Sequence, residues 1–361
     1  MSEGSKEQVN RRQDRAMTRL GDLVEAGLVA PDDVADLAPV VDRFQLRLTR
    51  DVASLIETED REDPIARQFV PDPAETTVLP HELTDPIGDD VHGKVAGITH
   101  RYPDRVLLKP THLCQVYCRF CFRREKVGDG KETLSDDEID AAIRYIADHE
   151  DIFEVILTGG DPLILSDRRL TRLFDQLEGI PHVEVVRLHT RVVTADPARI
   201  TDRLVATLRR RFATWIGIHV NHPREFSPAA DAAIARLVDG GIPLISQTVL
   251  LKGVNDSVET LSDLMRGFVK RRIKPYYLHH LDFAEGTNHF RVPLSAGKAL
   301  HEALRGHLTG LGQPSYILDI PGGFGKVPIS DDWIHALSDD RYSVRDWRGG
   351  THVYDEPPVS R

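Results

Sequence analysis

From Arg105 onward the sequence alternates short apolar runs with amphipathic segments of helical length, and this alternation constrains the fold more than any other feature. Strand-like runs occupy residues 105–111, 153–158, 183–189, 214–220, 244–250 and 275–281, with a further short run at 315–320. The segments between the first six are long enough for a helix each. In the first of them Ser135 precedes Asp136-Asp137-Glu138 as a capping box, and Ile139, Ala142, Ile143 and Ile146 share one face. Leu170, Leu173, Phe174 and Leu177 form a second stripe. Ile234, Leu237 and Val238 form another that ends at Gly240-Gly241, and Val258, Leu261, Met265 and Phe268 one more. Strands joined through helices run parallel with right-handed crossovers, so an α/β fold is predicted. An open doubly wound sheet and a full or partial barrel both satisfy the pattern. In either, ligands gather at the carboxyl ends of the strands, which directs attention to the loops after Thr111, Thr158, His189, Val220, Leu250 and Leu281.

Before residue 100 the texture differs. Helical patterns are interrupted by acidic, proline-bearing stretches at 59–64, 71–77 and 85–90. Residues 1–95 are therefore expected to form a helical and connecting region, 96–330 the main α/β domain, and 331–361 a C-terminal tail. The formal net charge of -11, from 57 acidic against 46 basic residues, disfavours nucleic acid and anionic membranes as partners. Small-molecule chemistry is expected instead. The charged start MSEGSKEQVNRRQDR has no apolar stretch like a signal or a membrane span, which suggests a cytoplasmic protein.

All 3 cysteines fall within eight residues, as Cys114-Gln-Val-Tyr-Cys118-Arg-Phe-Cys121, just after the first strand. So tight a cluster excludes a disulfide framework of the secreted kind. Three thiolates can hold three irons of a four-iron cluster and leave the fourth open to a small ligand. Buried structural cysteines, or a zinc site completed by His112, are the plainer alternatives.

A CxxxCxxC motif with aromatics beside the last cysteine, here Phe120 and Phe122, resembles the signature of the radical S-adenosylmethionine superfamily. The resemblance implies that Cys114, Cys118 and Cys121 bind a [4Fe-4S] cluster whose open iron is chelated by S-adenosylmethionine. It also implies that Gly159, Gly160 and Asp161, in the GGDP that ends the next strand, receive the methionyl amino group.

A narrower resemblance, to lysine 2,3-aminomutases, runs from about His100 to about Ile329. It is carried by THRYPDRVLL, CRFCFRR, GGDPL, IPHVEVVR, NHPREF, LLKGVND, PYYLHHLD, HFRVP and PGGFGK, in the family's order. It implies a partial (βα)6-type barrel with an N-terminal helical region. Lys326, ending PGGFGK, is implied to be the Schiff-base lysine of pyridoxal 5′-phosphate, with Phe324 standing where the family usually has glycine. Arg123 corresponds to the arginine that grips the substrate carboxylate, and Asp282 and Asp319 to the acids that hold the distal ammonium of lysine. Arg101 and Arg105 correspond to positions near the cofactor phosphate. Gln247 either faces S-adenosylmethionine or the substrate, or is an ordinary barrel-layer residue, and His279 and His280 either flank the substrate or merely pack.

The activity so implied is an isomerase reaction, L-lysine to β-lysine, by 5′-deoxyadenosyl radical chemistry with electrons from an unidentified donor. The alternatives are an aminomutase acting on a lysine attached to elongation factor P and a non-catalytic iron–sulfur sensor module. A homo-oligomer is expected, without the C-terminal cysteines that bind zinc between subunits in larger members of the family.

Overall fold

The structure, a computed structural model, describes residues 16–58, 60, 62–128, 133–329, 333–338, 341–346 and 348–355. The expectations placed on 1–15 and 356–361 lie outside the described residues.

The expected alternation appears as one curled sheet with strands in sequence order: β1 (Ile98–Tyr102), β2 (Arg105–Thr111), β3 (Glu154–Gly159), β4 (Val185–Thr190), β5 (Ala213–His219), β6 (Leu244–Val249), β7 (Ile273–His279), β8 (Ser315–Asp319) and β9 (Lys326–Pro328). Neighbours from β2 to β8 pair in parallel, while β1 and β9 are antiparallel edges and do not pair with each other. The sheet is a half-barrel. Strand alternation divides its two faces. Val106, Leu108, Val155, Leu157, Val186, Leu188, Ile216 and Ile218 point outward into the main core, against helices Asp136–Ala147, Asp167–Glu178, Pro228–Asp239 and Val258–Lys270. Phe268, fully buried in that core, would cost about 3–5 kcal/mol if cut back to alanine. The alternate residues Arg105, Leu107, Ile156, Arg187 and His189 face inward and line a cavity.

The capping box at Ser135 forms as expected, with Ser135 Oγ accepting from the Glu138 N–H and the Glu138 carboxylate accepting from the Ser135 N–H. Strand ends differ from the sequence reading by up to two residues. β7 begins at Ile273 and ends at His279, although the next N–H, that of His280, still donates to Ile317 O of β8 at 2.8 Å.

Residues 16–76 carry the short helices Leu20–Glu25, Val34–Arg43, Arg50–Ala53 and Ala66–Phe69. Their apolar side chains, among them Leu23, Leu37, Leu48, Ile65 and Phe69, form a second core that includes Val116, between the first two cysteines, and packs against Cys118. The N-terminal region thus covers the carboxyl end of β2. At the other end of the chain, where the sequence reading predicts only a tail, β10 (Ile334–Ser338), β11 (Arg341–Arg345) and β12 (Thr351–Asp355) make a separate antiparallel sheet. Every residue of β10 and β12 is exposed. Among the described residues no helix is long and apolar enough to cross a membrane.

Candidate active site

A cavity of about 530 Å³ occupies the concave face of the half-barrel. Arg101, Arg105, Cys114, Cys118, Cys121, Arg123, Gly159, Gly160, Asp161, Gln247, His279, Asp282, Asp319 and Lys326 all line it, whereas His112, His280 and Phe324 do not. Most come from the carboxyl ends of the parallel strands, which gather at one edge, whereas Arg101 and Arg105 lie on the β1–β2 hairpin and Lys326 opens antiparallel β9. The β1–β2 hairpin reaches the cavity from the opposite end, through Tyr102, whose hydroxyl accepts the Lys326 backbone N–H at 2.9 Å.

The cysteine loop is held on three sides. Its floor is the end of β3: Gly160 N donates to Thr111 O (2.7 Å) and Asp161 N to Leu113 O (2.9 Å). A Cβ on Gly160 would stand 2.2 Å from Leu113 O, so only glycine permits this approach. Its arginines are pinned by Glu75 of the N-terminal region, which takes a bidentate bond from Arg119 (Nε 3.0 Å, Nη2 2.6 Å) and a further contact from Arg124. All three side chains are buried, so losing Glu75 would leave two uncompensated cations.

Burial raises all three thiols above their ordinary range, Cys121 to about 11. The Cys118 sulfur nonetheless has a hydrogen-bond donor, Arg191 Nη1 at 3.2 Å. Arg191 is itself clamped by Glu225 Oε2 (2.7 Å) and Gln68 Oε1 (2.5 Å). The Asp161 carboxylate is occupied within the protein, accepting from Leu163 N, Thr190 Oγ1, Arg191 N and Val192 N. It ties the end of β3 to the loop after β4.

The opposite part of the cavity holds the acids and Lys326. Asp319 and Lys326 are paired across β8 and β9, and directly opposite residues share a face, which brings Nζ onto the carboxylate. His279 Nδ1 lies 3.5 Å from Asp319 Oδ2. Burial alone would raise the Asp319 carboxyl, but His279 and the Lys326 ammonium hold it down to about 2. Asp282 behaves oppositely: burial and the neighbouring Asp319 charge push it up to about 7. The chain's two adjacent histidines separate. His279 lines the cavity, whereas His280 is absent from it and bonds Tyr316 Oη at 2.8 Å. Phe324 turns its ring to solvent at 78% exposure, and Gly322, Gly323 and Gly325 around it keep positive φ, so the loop retains glycine geometry despite the substitution.

Sequence reasoning missed Arg191, His189 and His219, which also line the cavity. His189 Nδ1 donates to Gln247 Oε1, and His219 Nε2 is buried without a partner among the described residues. The NHPREF string carries the missed signal: its Asn221 and Glu225 belong to the network around Arg191.

Residues 108–265 match the radical SAM superfamily and residues 301–360 match lysine-2,3-aminomutase. The chain is 39% identical to the L-lysine 2,3-aminomutase of Clostridium subterminale, over 89% of this chain and 77% of that protein. Identity to the L-lysine 2,3-aminomutase of Methanococcus maripaludis is 40%, covering 89% and 75%. A glutamate 2,3-aminomutase of Clostridioides difficile is 36% identical, covering 88% and 75%. These relationships imply a [4Fe-4S] cluster, S-adenosylmethionine and pyridoxal phosphate, and the residues present fit all three. Three buried thiols gathered in one loop gain from metal what burial takes from the thiolate. Arg101 Nε is buried with no partner among the described residues, as an anion site requires. The chain belongs to the lysine 2,3-aminomutase family of radical S-adenosylmethionine isomerases.

Proposed function

We propose that this protein converts L-lysine to β-lysine, with pyridoxal phosphate attached to Lys326. The observation that carries the reading is the placement of two carboxylates, Asp282 and Asp319, beside Lys326 in the same cavity as Arg123 and the three cysteines. When bound, the cluster with S-adenosylmethionine supplies a hydrogen-abstracting radical, and pyridoxal phosphate supplies electron delocalisation for the migrating amino group.

The chain's own residues bind and orient. Cys114, Cys118 and Cys121 would hold the cluster, while Gly159, Gly160, Asp161 and Gln247 shape the pocket for S-adenosylmethionine. Arg101 and Arg105 would hold the phosphate of pyridoxal phosphate. Arg123 takes the substrate carboxylate, for which a guanidinium offers a planar pair of donors. Asp319, anionic over the whole neutral range, takes the distal ammonium, and Asp282 joins it as that cation arrives. Fixing both ends of lysine leaves its α- and β-carbons no freedom to drift from the reacting groups. Glutamate is a poor match, because its side-chain carboxylate would face two acids.

Anaerobic incubation of reconstituted protein with lysine, S-adenosylmethionine and a reductant, followed by amino-acid analysis, tests the reading. β-Lysine is expected. No lysine turnover together with activity on lysylated elongation factor P would move the substrate while leaving the aminomutase class intact.

A further inference from the structure

The connecting segment 85–92 has no helix or strand, yet it places a buried carboxylate against the proposed substrate-gripping arginine. Asp89 is 4% exposed. Its Oδ2 accepts from Arg123 Nε at 2.7 Å and lies 3.6 Å from Lys109 Nζ, which in turn donates to Thr99 Oγ1 at 2.8 Å. Its Oδ1 is buried with no partner among the described residues.

The arrangement is at first sight counterproductive, since an anion beside Arg123 competes with a substrate carboxylate. Charge counting resolves this. Two cations, Arg123 and Lys109, around one anion, Asp89, leave a single net positive charge. What Asp89 supplies is direction. With Nε fixed on Asp89 and Nη1 within 3.4 Å of Thr158 Oγ1, the guanidinium plane is set, and Nη2 has no hydrogen bond among the described residues. An arginine held this way loses less conformational entropy on binding than a free one.

The carboxylate is itself held. Asp85 accepts the backbone N–H groups of Asp89 and Asp90 at 2.9 Å each, and Thr99 Oγ1 donates to Asp89 O at 3.3 Å. The same segment anchors the Lys326 loop: Gly322 N donates to Pro86 O (3.1 Å) and His92 Nε2 meets Gly323 O at 2.9 Å.

We infer that Asp89 is a positioning residue that aims Arg123 at the α-carboxylate of the amino-acid substrate and thereby sets selectivity for that group. The inference rests on the assignment of Arg123 in the proposed function. A role confined to neutralising Lys109 would make no distinction between ligands with and without a carboxylate.

The test compares lysine with 1,5-diaminopentane, the same chain without the carboxylate, by calorimetric titration into cofactor-reconstituted protein lacking S-adenosylmethionine. Wild type should bind lysine more tightly than the diamine. Asp89→Asn should weaken lysine about tenfold, the scale of one misdirected charge-assisted hydrogen bond, and leave the diamine within about twofold. In an Arg123→Gln background, Asp89→Asn should add no further loss. Asp89→Glu, which keeps the charge but shifts the carboxylate by one methylene, should show the same selective loss to a smaller degree and carries the test if the Asn variant does not fold. Selectivity lost in Arg123→Gln but kept in both Asp89 variants would overturn the inference and leave Arg123's role standing. Equal weakening of both ligands would also overturn it, by making Asp89 a general structural residue. No preference for lysine over the diamine in wild type would refute the Arg123 assignment itself.

Discussion

Replacing Asp282 with Asn is expected to stabilise the apoprotein and weaken its site by the same substitution. Burial and the Asp319 charge raise the Asp282 carboxyl from its ordinary 3.8 to about 7, against the opposing pull of Lys326, Arg123 and Arg291. The folded state therefore holds this proton more tightly than the unfolded chain does. Its stabilising contribution is complete below about pH 4, declines as pH rises, and is gone above about 7. That interval corresponds to on the order of 4 kcal/mol. Because the carboxyl faces an open cavity in place of packed core, roughly half, ~2 kcal/mol, should be measurable. Asparagine carries no such dependence, so Asp282→Asn apoprotein should exceed wild type by ~2 kcal/mol at pH 8, with the advantage shrinking toward pH 5. Urea unfolding at several pH values reads this directly. Lysine binding should move the other way, weakening about tenfold or more through loss of one charge-assisted contact to the distal ammonium. Wild-type affinity should rise with pH through about 7, and the variant's should not. A stability difference independent of pH would refute the reasoning, since it would mean that Asp282 is ionised in the folded protein throughout.

Changing any one of Cys114, Cys118 or Cys121 to Ala should abolish reductive cleavage of S-adenosylmethionine, measured as 5′-deoxyadenosine formed; cleavage at the wild-type rate by any single variant would sink the cluster assignment. Lys326→Ala should lose the borohydride-fixable attachment of pyridoxal phosphate while keeping its iron and sulfide content, and a retained attachment would point to another lysine. Gly160→Ala should cut iron incorporation severely, because the new Cβ would sit 2.2 Å from Leu113 O on a segment with no freedom to retreat; normal iron content would show that the loop relaxes without cost.

What the sequence made legible is what neighbouring residues encode. The helix stripes at Leu170–Leu177 and Val258–Phe268, the Ser135 capping box, the cysteine spacing and the glycine floor at Gly159-Gly160 each lie within a dozen or so positions, and each reappears in the structure in its expected place. The parallel order of the strands follows from repeating such local units, whereas the pattern fitted an open sheet and a barrel equally, and the partial barrel came from the family resemblance. The residues that escaped are those whose meaning depends on distant partners. Arg191 is defined by Gln68, 123 positions away, and Gln68 meets Glu225 across 157. Asp89 meets Arg123 across 34, from a segment with no periodicity to mark it. Asp161 carries both kinds of information: its place in the GGDP motif is local, while its carboxylate also accepts from Thr190 and from backbone N–H groups at the end of β4, which sequence alone does not bring near it. The two histidines after PYYL were indistinguishable for a related reason, since their roles depend on which faces the cavity at the end of β7. Strands β10 to β12 escaped because each is only five residues long and none of their residues is buried, which leaves too short an apolar pattern to read. Function in this chain therefore resides in two layers. The proposed reacting groups are written in short motifs, while the buried charges that contact them, Glu75 on the arginines of the cysteine loop and Asp89 on Arg123, lie on N-terminal segments that only the fold brings near.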